Sequence, residues 1–497
     1  MKKKKFITSV LIYSILVCLL LTLLASCASD TKTPSANGVE NSADTAINGG
    51  YIQPESTTDN LNDDLGSFDF GGAQFNILTR TADFINSAVD YEEMTGDVLN
   101  DAIYERNRRI EERFNIKFNN ITTYDATKAQ NSLKAGDNAY DIIMTRNPDA
   151  FNIFAQQGLI SGLSTLTYIN LDKPYWDKKL TDELSVANKK FFAVGSFNLT
   201  AYDFVHVLMF NKKLISDYGM PNPYDMVKNG TWTYDAYAKM AKDATRSLSG
   251  GEKMTADDAY GYLSAPKQVL PDFWISAGLK SIDKDANDIP YSTMGAENFM
   301  NIFQKIFAIT WDNNSWFVNT SGDNIPAAHL TMFQNNQGLF MDCTFFYLKS
   351  LRSMESDFGI LPYPKYDEQQ SQYYSRMEGC ELFFAPVTAS QETLDRSSVI
   401  LEALSSESAK TVIPVYYDLA LKTKFTRDNE SAEILDTLFA NRVFDLGDTI
   451  WCDKVRDPIF ATMFQKNNRD LVSKLDSLDK TVSDLIDKTV AAFEKLN

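Results

Sequence analysis

The sequence predicts an α/β fold built as two lobes, and three observations predict it. Strand-like runs alternate with helical periodicity along most of the chain. The body from residue 67 to 497, about 430 residues, exceeds one ordinary domain. A composition that is 44% hydrophobic and 12% aromatic can fill at least two cores.

The body opens with Phe75-Asn76-Ile77-Leu78, a short apolar run that ends at Thr79-Arg80 and reads as a strand. Over residues 97–114, Leu99, Ile103, Ile110 and Phe114 recur at helical spacing, and residues 117–122 form a second strand. Residues 126–134 read as a helix, Gly136 punctuates, and residues 140–144 form a third strand that leads into Thr145-Arg146-Asn147. Such alternation implies a mainly parallel sheet, in which ligands gather outside the carboxyl ends of the strands. Arg80, Arg146 and Asn147 are therefore candidate contacts, set against the alternative that each arginine makes a surface ion pair.

A second series follows. Residues 191–194 and 205–210 read as strands, residues 211–218 as a helix, and Asn229-Gly230 as a turn, with Thr231 as the N-cap of a helix over 232–246. Residues 260–263 are strand-like, 268–279 and 296–309 helical, 338–342 a strand and 345–354 a helix. Pro362 and Pro364 keep residues 357–364 extended. In the last helix Leu471, Leu475, Leu478, Val482, Leu485 and Val490 form a stripe of about three heptads, which is expected to pack on a lobe rather than enter a coiled coil.

The N-terminal segment has another character. Lys2 to Lys5 precede an apolar run over residues 6–25 without an acid, and the run ends at Leu24-Ala25-Ser26-Cys27. That is the pattern of an exported lipoprotein, with residues 1–26 as signal peptide and Cys27 as the lipidated mature N-terminus. The alternative is an uncleaved membrane anchor, since about 20 apolar residues can span a bilayer. Ser, Thr, Asn, Asp and Gly dominate residues 27–66, so this stretch is expected to be a disordered tether.

Removal of the four signal lysines takes the formal charge from −18 to −22, which argues against nucleic acid as a partner. Of five cysteines, Cys343, Cys380 and Cys452 remain in the body, too few and too scattered for a disulfide framework or a CxxC zinc site, so buried thiols with at most one bridge are expected. Two histidines, His206 and His329, argue against a histidine-based metal site. Residues 283–288 suggest a calcium loop, but position six is Asp288 in place of Gly and position twelve Met294 in place of Glu. GxSxG, P-loop, GxGxxG and HExxH motifs are absent, and no cofactor is implied.

Several segments, in order, resemble the family 1 extracellular solute-binding proteins, the sugar-binding group that includes maltose-binding protein. The strongest are Val98-Leu99-Asn100-Asp101-Ala102-Ile103-Tyr104-Glu105-Arg106-Asn107, Tyr140-Asp141-Ile142-Ile143, Phe210-Asn211-Lys212-Lys213-Leu214 and Asn229-Gly230-Thr231-Trp232-Thr233-Tyr234. Residues 357–364, 400–404 and 441–445 look like the same group, and the resemblance covers residues 70–497. It implies a type II periplasmic-binding-protein-like fold, α/β in each lobe, with a ligand cleft closed by hinge motion. The lobes would comprise residues 67–200 with 361–415 and residues 201–360 with 416–497, with crossings near 199–202, 361–364 and 411–420.

The resemblance also implies a monomeric carbohydrate-binding lipoprotein, palmitate-bearing and anchored on the extracellular face of the cell membrane, that serves the permease subunits of an ABC transporter. Sugars need aromatic platforms with carboxylates, amides and arginines beside them. Trp274, Phe345 and Trp451 occupy positions that match the family's contact regions, Tyr202 and Asp203 lie beside the first hinge, and Glu378 follows a return strand. Each aromatic is set against a plain core role. Two alternatives stand beside this reading: a secreted glycosidase or lyase, whose paired carboxylates hide among 66 acids, and a lipoprotein that presents ligand to a sensor kinase. Replacing Cys27 by Ser should abolish fatty-acid labelling and release the protein from the membrane or leave it unprocessed, because thioether attachment needs the sulfur; equal labelling of both forms would contradict the lipoprotein reading.

Overall fold

The computed structural model describes residues 58–82, 85–86, 89–318, 326–351, 353–418 and 429–496. Cys27, the signal segment, most of the tether and part of the third expected crossing lie outside the described residues.

The first sheet is built from β1 (Ala73–Ala82), β2 (Ile85–Asn86), β3 (Ile116–Thr123) and β4 (Ile142–Arg146), with helices α1 (Val98–Phe114) and α2 (Ala126–Lys134) between them. Asp97 starts α1 by accepting the amides of Leu99 at 3.0 Å and Asn100 at 3.2 Å, and Asn115 ends it in the left-handed region at φ 49°. β1 lies parallel to both β3 and β4, with Leu78 opposite Ile143. The chain then runs to the second sheet, reaching it through a short helix at Thr200–Asp203.

The second sheet contains β5 (His206–Asn211) and β6 (Tyr260–Leu263), separated by α3 (Tyr234–Ala244). The cap of α3 is Thr233, whose hydroxyl accepts from Ala236, so Thr231 is not the cap expected from the sequence. Thr231 instead donates its amide to Met226 O and completes the preceding turn. After β6 come α4 (Pro266–Ser276) and a hairpin of β7 (Ile282–Lys284) and β8 (Pro290–Ser292). The Asp285 carboxylate caps the hairpin turn by accepting the amides of Asn287 and Ile289, which confirms a structural role for this acidic loop. Next are α5 (Glu297–Phe307), β9 (Gly338–Thr344) and β10 (Phe358–Leu361). The sheet order is β10-β5-β9-β6, and β5 and β9 are buried along their whole length. Directly after β9 the chain is α-helical over Phe345–Leu348 and turns as a 3-10 helix over Lys349–Leu351, where an α-helix over 345–354 is expected.

The chain returns to the first sheet through β11 (Ser375–Arg376) and β12 (Glu381–Phe384), which adds antiparallel to β4. Helix α6 (Gln391–Glu407) then covers that sheet. Its Glu402, without solvent exposure, accepts hydrogen bonds from Tyr175 Oη, Trp176 Nε1 at 2.8 Å and Asn170 N at 3.0 Å. β13 (Arg442–Val443) pairs with β11, and α7 (Val472–Lys495) closes the chain. Leu478, Val482 and Phe493 of α7 are buried, and the Phe493 ring lies 5.0 Å from Phe191 and 5.4 Å from Phe151, so the stripe packs on the body. Residues 191–194 make only an isolated bridge from Ala193 to Phe383, not a strand.

Candidate functional site

A cleft of about 230 Å³ opens where the first sheet ends. Arg80 near the end of β1, Arg146 at the end of β4 and Asn147 just beyond it supply one wall. Because β12 runs antiparallel to β4, its first residue, Glu381, falls directly opposite Arg146 and joins them. The start of β12 is fixed from both sides: Glu381 N donates to Thr200 Oγ1 at 2.9 Å, and Asn198 Nδ2 donates to Glu381 O at 2.6 Å. Lys267 of α4, Glu378 and Arg456 complete the opposite side.

The charges on this floor are unevenly satisfied. Arg456 is held by Glu378 at 3.0 Å, Asp457 at 2.8 Å and Asp448 at 3.5 Å. Arg80 stands 3.7 Å from Glu381, and Arg146 stands 3.8 Å from both Asp149 and Asp453. For Arg146 these separations exceed a good charged hydrogen bond. Burial raises the Glu381 carboxyl to about 7 against the pull of Arg80. Glu378 behaves oppositely: burial would raise it, but Arg456 and the hydrogen bond from His206 hold it well below the usual range. Two of the lining residues carry a buried atom with no hydrogen-bond partner within the protein, Asn147 Nδ2 and Glu381 Oε2. The amide of Asn147 packs beside Gly379, where an added Cβ would stand 3.4 Å from its Oδ1.

Behind Glu378 lies a buried polar cluster. Arg376, with no side-chain exposure, grips Asp448 through Nε at 2.6 Å and Nη2 at 2.8 Å and reaches Asp272 at 3.0 Å. His206 Nδ1 is 2.9 Å from Asp342 and 3.3 Å from Asp272, and its Nε2 is 3.4 Å from Glu378. Burial disfavours the imidazolium, yet Asp272 and Asp342 raise His206 from 6.5 to about 10. His206, Asp272 and Asp342 offer three ligand atoms within 4.8 Å, closer than the scarcity of histidines suggests. The imidazolium and the Tyr363 hydroxyl, 2.8 Å from Asp342 and 3.0 Å from Asp272, bridge those carboxylates instead.

Arg80, Arg146, Asn147 and Glu378 thus come together in the cleft, while the other expected contacts go elsewhere. Trp274 is 1% exposed; its ring packs on Phe299 and Phe460 and its Nε1 donates to Asp445 at 3.0 Å. Trp451 is likewise 1% exposed, and Phe345 is buried against Phe439. The expectation that these three rings line the cleft is corrected: all three are buried in the core and none is among the lining residues. Tyr202 lines a separate pocket with Tyr417, Phe439 and Arg442, and Asp203 accepts the Tyr416 hydroxyl at 2.9 Å, so neither reaches the cleft. Glu381, Lys267 and Arg456 were not read from the sequence. Cys343, Cys380 and Cys452 are buried free thiols; Cys380 and Cys452 line the cleft, and burial raises Cys452 to about 12, which keeps it protonated.

The architecture defines a class by shape: a two-lobed α/β binding-protein fold of the periplasmic type, with a cleft at the strand ends. Solved structures share it at low identity. A sugar transporter from Rhizobium etli in an open conformation aligns with a TM-score of 0.54 at 14% identity, over 86% of this chain and all of its own. A cyclo/maltodextrin-binding protein complexed with maltotetraose aligns at 0.53 and 13% identity, over 87% of this chain and 98% of its own. An ABC substrate-binding protein of Listeria monocytogenes in complex with cycloalternan aligns at 0.53 and 12% identity, over 84% and 98% respectively. No protein-family model matches the chain, and no curated protein matches it.

Two outcomes follow from the geometry. Trp274→Ala and Trp451→Ala should each cost about 3–5 kcal/mol of stability, while the protein that remains folded keeps its affinity; variants that melt normally but bind weakly would restore these rings to the site. For His206 the proton is retained by the folded state and lost by the unfolded one between pH 6.5 and 10. Its contribution is therefore complete below about 6.5 and fades as pH rises towards 10. Melting temperatures across that range should fall less steeply for His206→Gln than for the parent, and parallel slopes would contradict a charged His206.

Proposed function

We propose that this chain is the solute-binding component of an ABC importer, exported and lipid-anchored through Cys27, that captures a carbohydrate in the cleft and hands it to a membrane permease. The observation that carries this reading is the pair of unsatisfied groups on the cleft, the Asn147 amide and the Glu381 carboxyl, one donor and one acceptor at the strand ends. Leaving such atoms unmet costs about 1–3 kcal/mol each, and a sugar hydroxyl, which both donates and accepts, meets them. Similar folds solved with maltotetraose and cycloalternan support the same chemistry. Capture by hinge closure requires that the ligand touch groups from both sides, and here Arg146 faces Arg456 and Lys267 across one cleft.

A hydrolase reading draws on one observation, two carboxyls on the same cleft with pKa values driven apart, Glu381 up to about 7 and Glu378 down. Glu378, however, is committed to Arg456 and Gln268. Incubation with oligosaccharides followed by product analysis separates the two, since a binding protein returns its ligand intact.

A thermal-shift screen of the mature protein against a glycan library tests the proposal. A ligand at 100 times its Kd should stabilise the protein by about 2.7 kcal/mol. Glu381→Ala together with Asn147→Ala should remove that gain without lowering the ligand-free melting temperature to match. Stabilisation by non-carbohydrate solutes alone would overturn the reading.

A further inference from the structure

Resting on the carbohydrate reading, we infer that the ligand has at least two sugar rings, one enclosed in the cleft and the next stacked on Tyr124 at its rim. The cleft offers little stacking surface of its own. Phe204 is the one aromatic among its described lining residues, and its ring is already stacked on Phe346 with centroids 6.5 Å apart. At about 230 Å³ the cleft is also smaller than the roughly 300–1,000 Å³ that drug-sized ligands occupy, so a longer saccharide must extend past it.

Tyr124 stands where such an extension begins. Thr123, the last residue of β3, lies opposite Arg80 in the parallel register, which puts Tyr124 one residue beyond the strand end at the same edge. The Arg80 guanidinium, which lines the cleft, lies over the Tyr124 ring, 5.3 Å from its centroid. Asp125, the next residue, contributes with Arg80 and Arg146 to the field at Asp149, so the turn borders the same wall. One face of the ring is thus covered, yet Tyr124 is 66% exposed, more than any other aromatic among the described residues, which leaves the opposite face to solvent. A singly exposed ring is ordinary on a surface; this one is also held in place. The Thr123 hydroxyl accepts from Asp125 N at 3.2 Å and donates to Asp125 O at 3.1 Å, which closes the backbone around Tyr124. Asp125 in turn caps α2 by accepting from Thr127 N at 2.8 Å. A side chain with two torsions on a pinned backbone loses little entropy when a ligand covers it. The flat apolar side of a sugar ring fits such a face while its hydroxyls stay in water.

Isothermal titration of the mature protein with matched sugars tests this: D-glucose against maltose and cellobiose, D-galactose against β-1,4-galactobiose, and D-xylose against xylobiose. In the series that binds, the disaccharide should be about tenfold tighter than its monosaccharide. Tyr124→Ala should bring that ratio near one, while Tyr124→Phe and Tyr124→Trp keep it, since each retains a ring face. Because the ring is exposed, the ligand-free melting temperatures of all three variants should match the parent's. Equal affinity for monosaccharide and disaccharide overturns this inference and leaves the carbohydrate reading standing, as does a ratio that Tyr124→Ala does not move. Equal weakening of both sugars by Tyr124→Ala would mean that the ring acts only through Arg80, which overturns the inference as well. Failure of every sugar to bind overturns both this inference and the reading beneath it.

Discussion

The site depends on Arg376. A guanidinium without solvent exposure must have its donors met, and meeting them draws together Asp448 from the C-terminal region and Asp272 and Gln268 from α4. Removing either side of such a buried pair leaves an uncompensated charge, worth about 3–5 kcal/mol. The network therefore fixes where its neighbours sit. Glu378 follows Arg376 by two residues, and Arg456 shares Asp448 with it, so the far side of the cleft inherits its geometry from this junction.

The near side has a different origin. β1 and β4 run parallel and end together, which brings Arg80 and Arg146 to one edge. β12 arrives from the second sheet and runs the other way, so its first residue meets their last. One edge thus combines cations from two strand ends with an acid from a strand start. The hydrogen bonds of Asn198 and Thr200 to Glu381 tie that strand start to the segment that leads into the second sheet.

Much of this was legible in the sequence where the signal was local. Helices α1 and α2 and strands β3, β4, β5 and β6 lie within two residues of their expected bounds, because apolar periodicity and caps such as Asp97 are read over short windows. Arg80, Arg146 and Asn147 could be proposed because strand ends collect ligands in parallel sheets. Lys267, Glu381 and Arg456 could not: they meet these residues only through pairing of segments more than 100 residues apart. The one trace of Glu381 is an acid at the head of the apolar run Leu382-Phe383-Phe384, after Gly379. The rings failed for another reason. Trp274 looks the same in sequence whether it stacks on a sugar or buries its ring and satisfies its N–H on Asp445, and the partner that decides lies at position 445. Thr231 and Thr233 are equally good caps by chemistry, and the turn formed by Met226 selects the second.

The most direct test is a crystal structure of the mature protein with the tightest-binding saccharide from solution. Density for that sugar should lie between Arg146 and Glu381 on one side and Lys267 on the other, with its polar atoms within about 3 Å of Asn147 Nδ2 and Glu381 Oε2. A saccharide seated elsewhere, for instance in the pocket beside Tyr202 and Tyr417, with those two atoms still unmet, would contradict the assignment of the cleft.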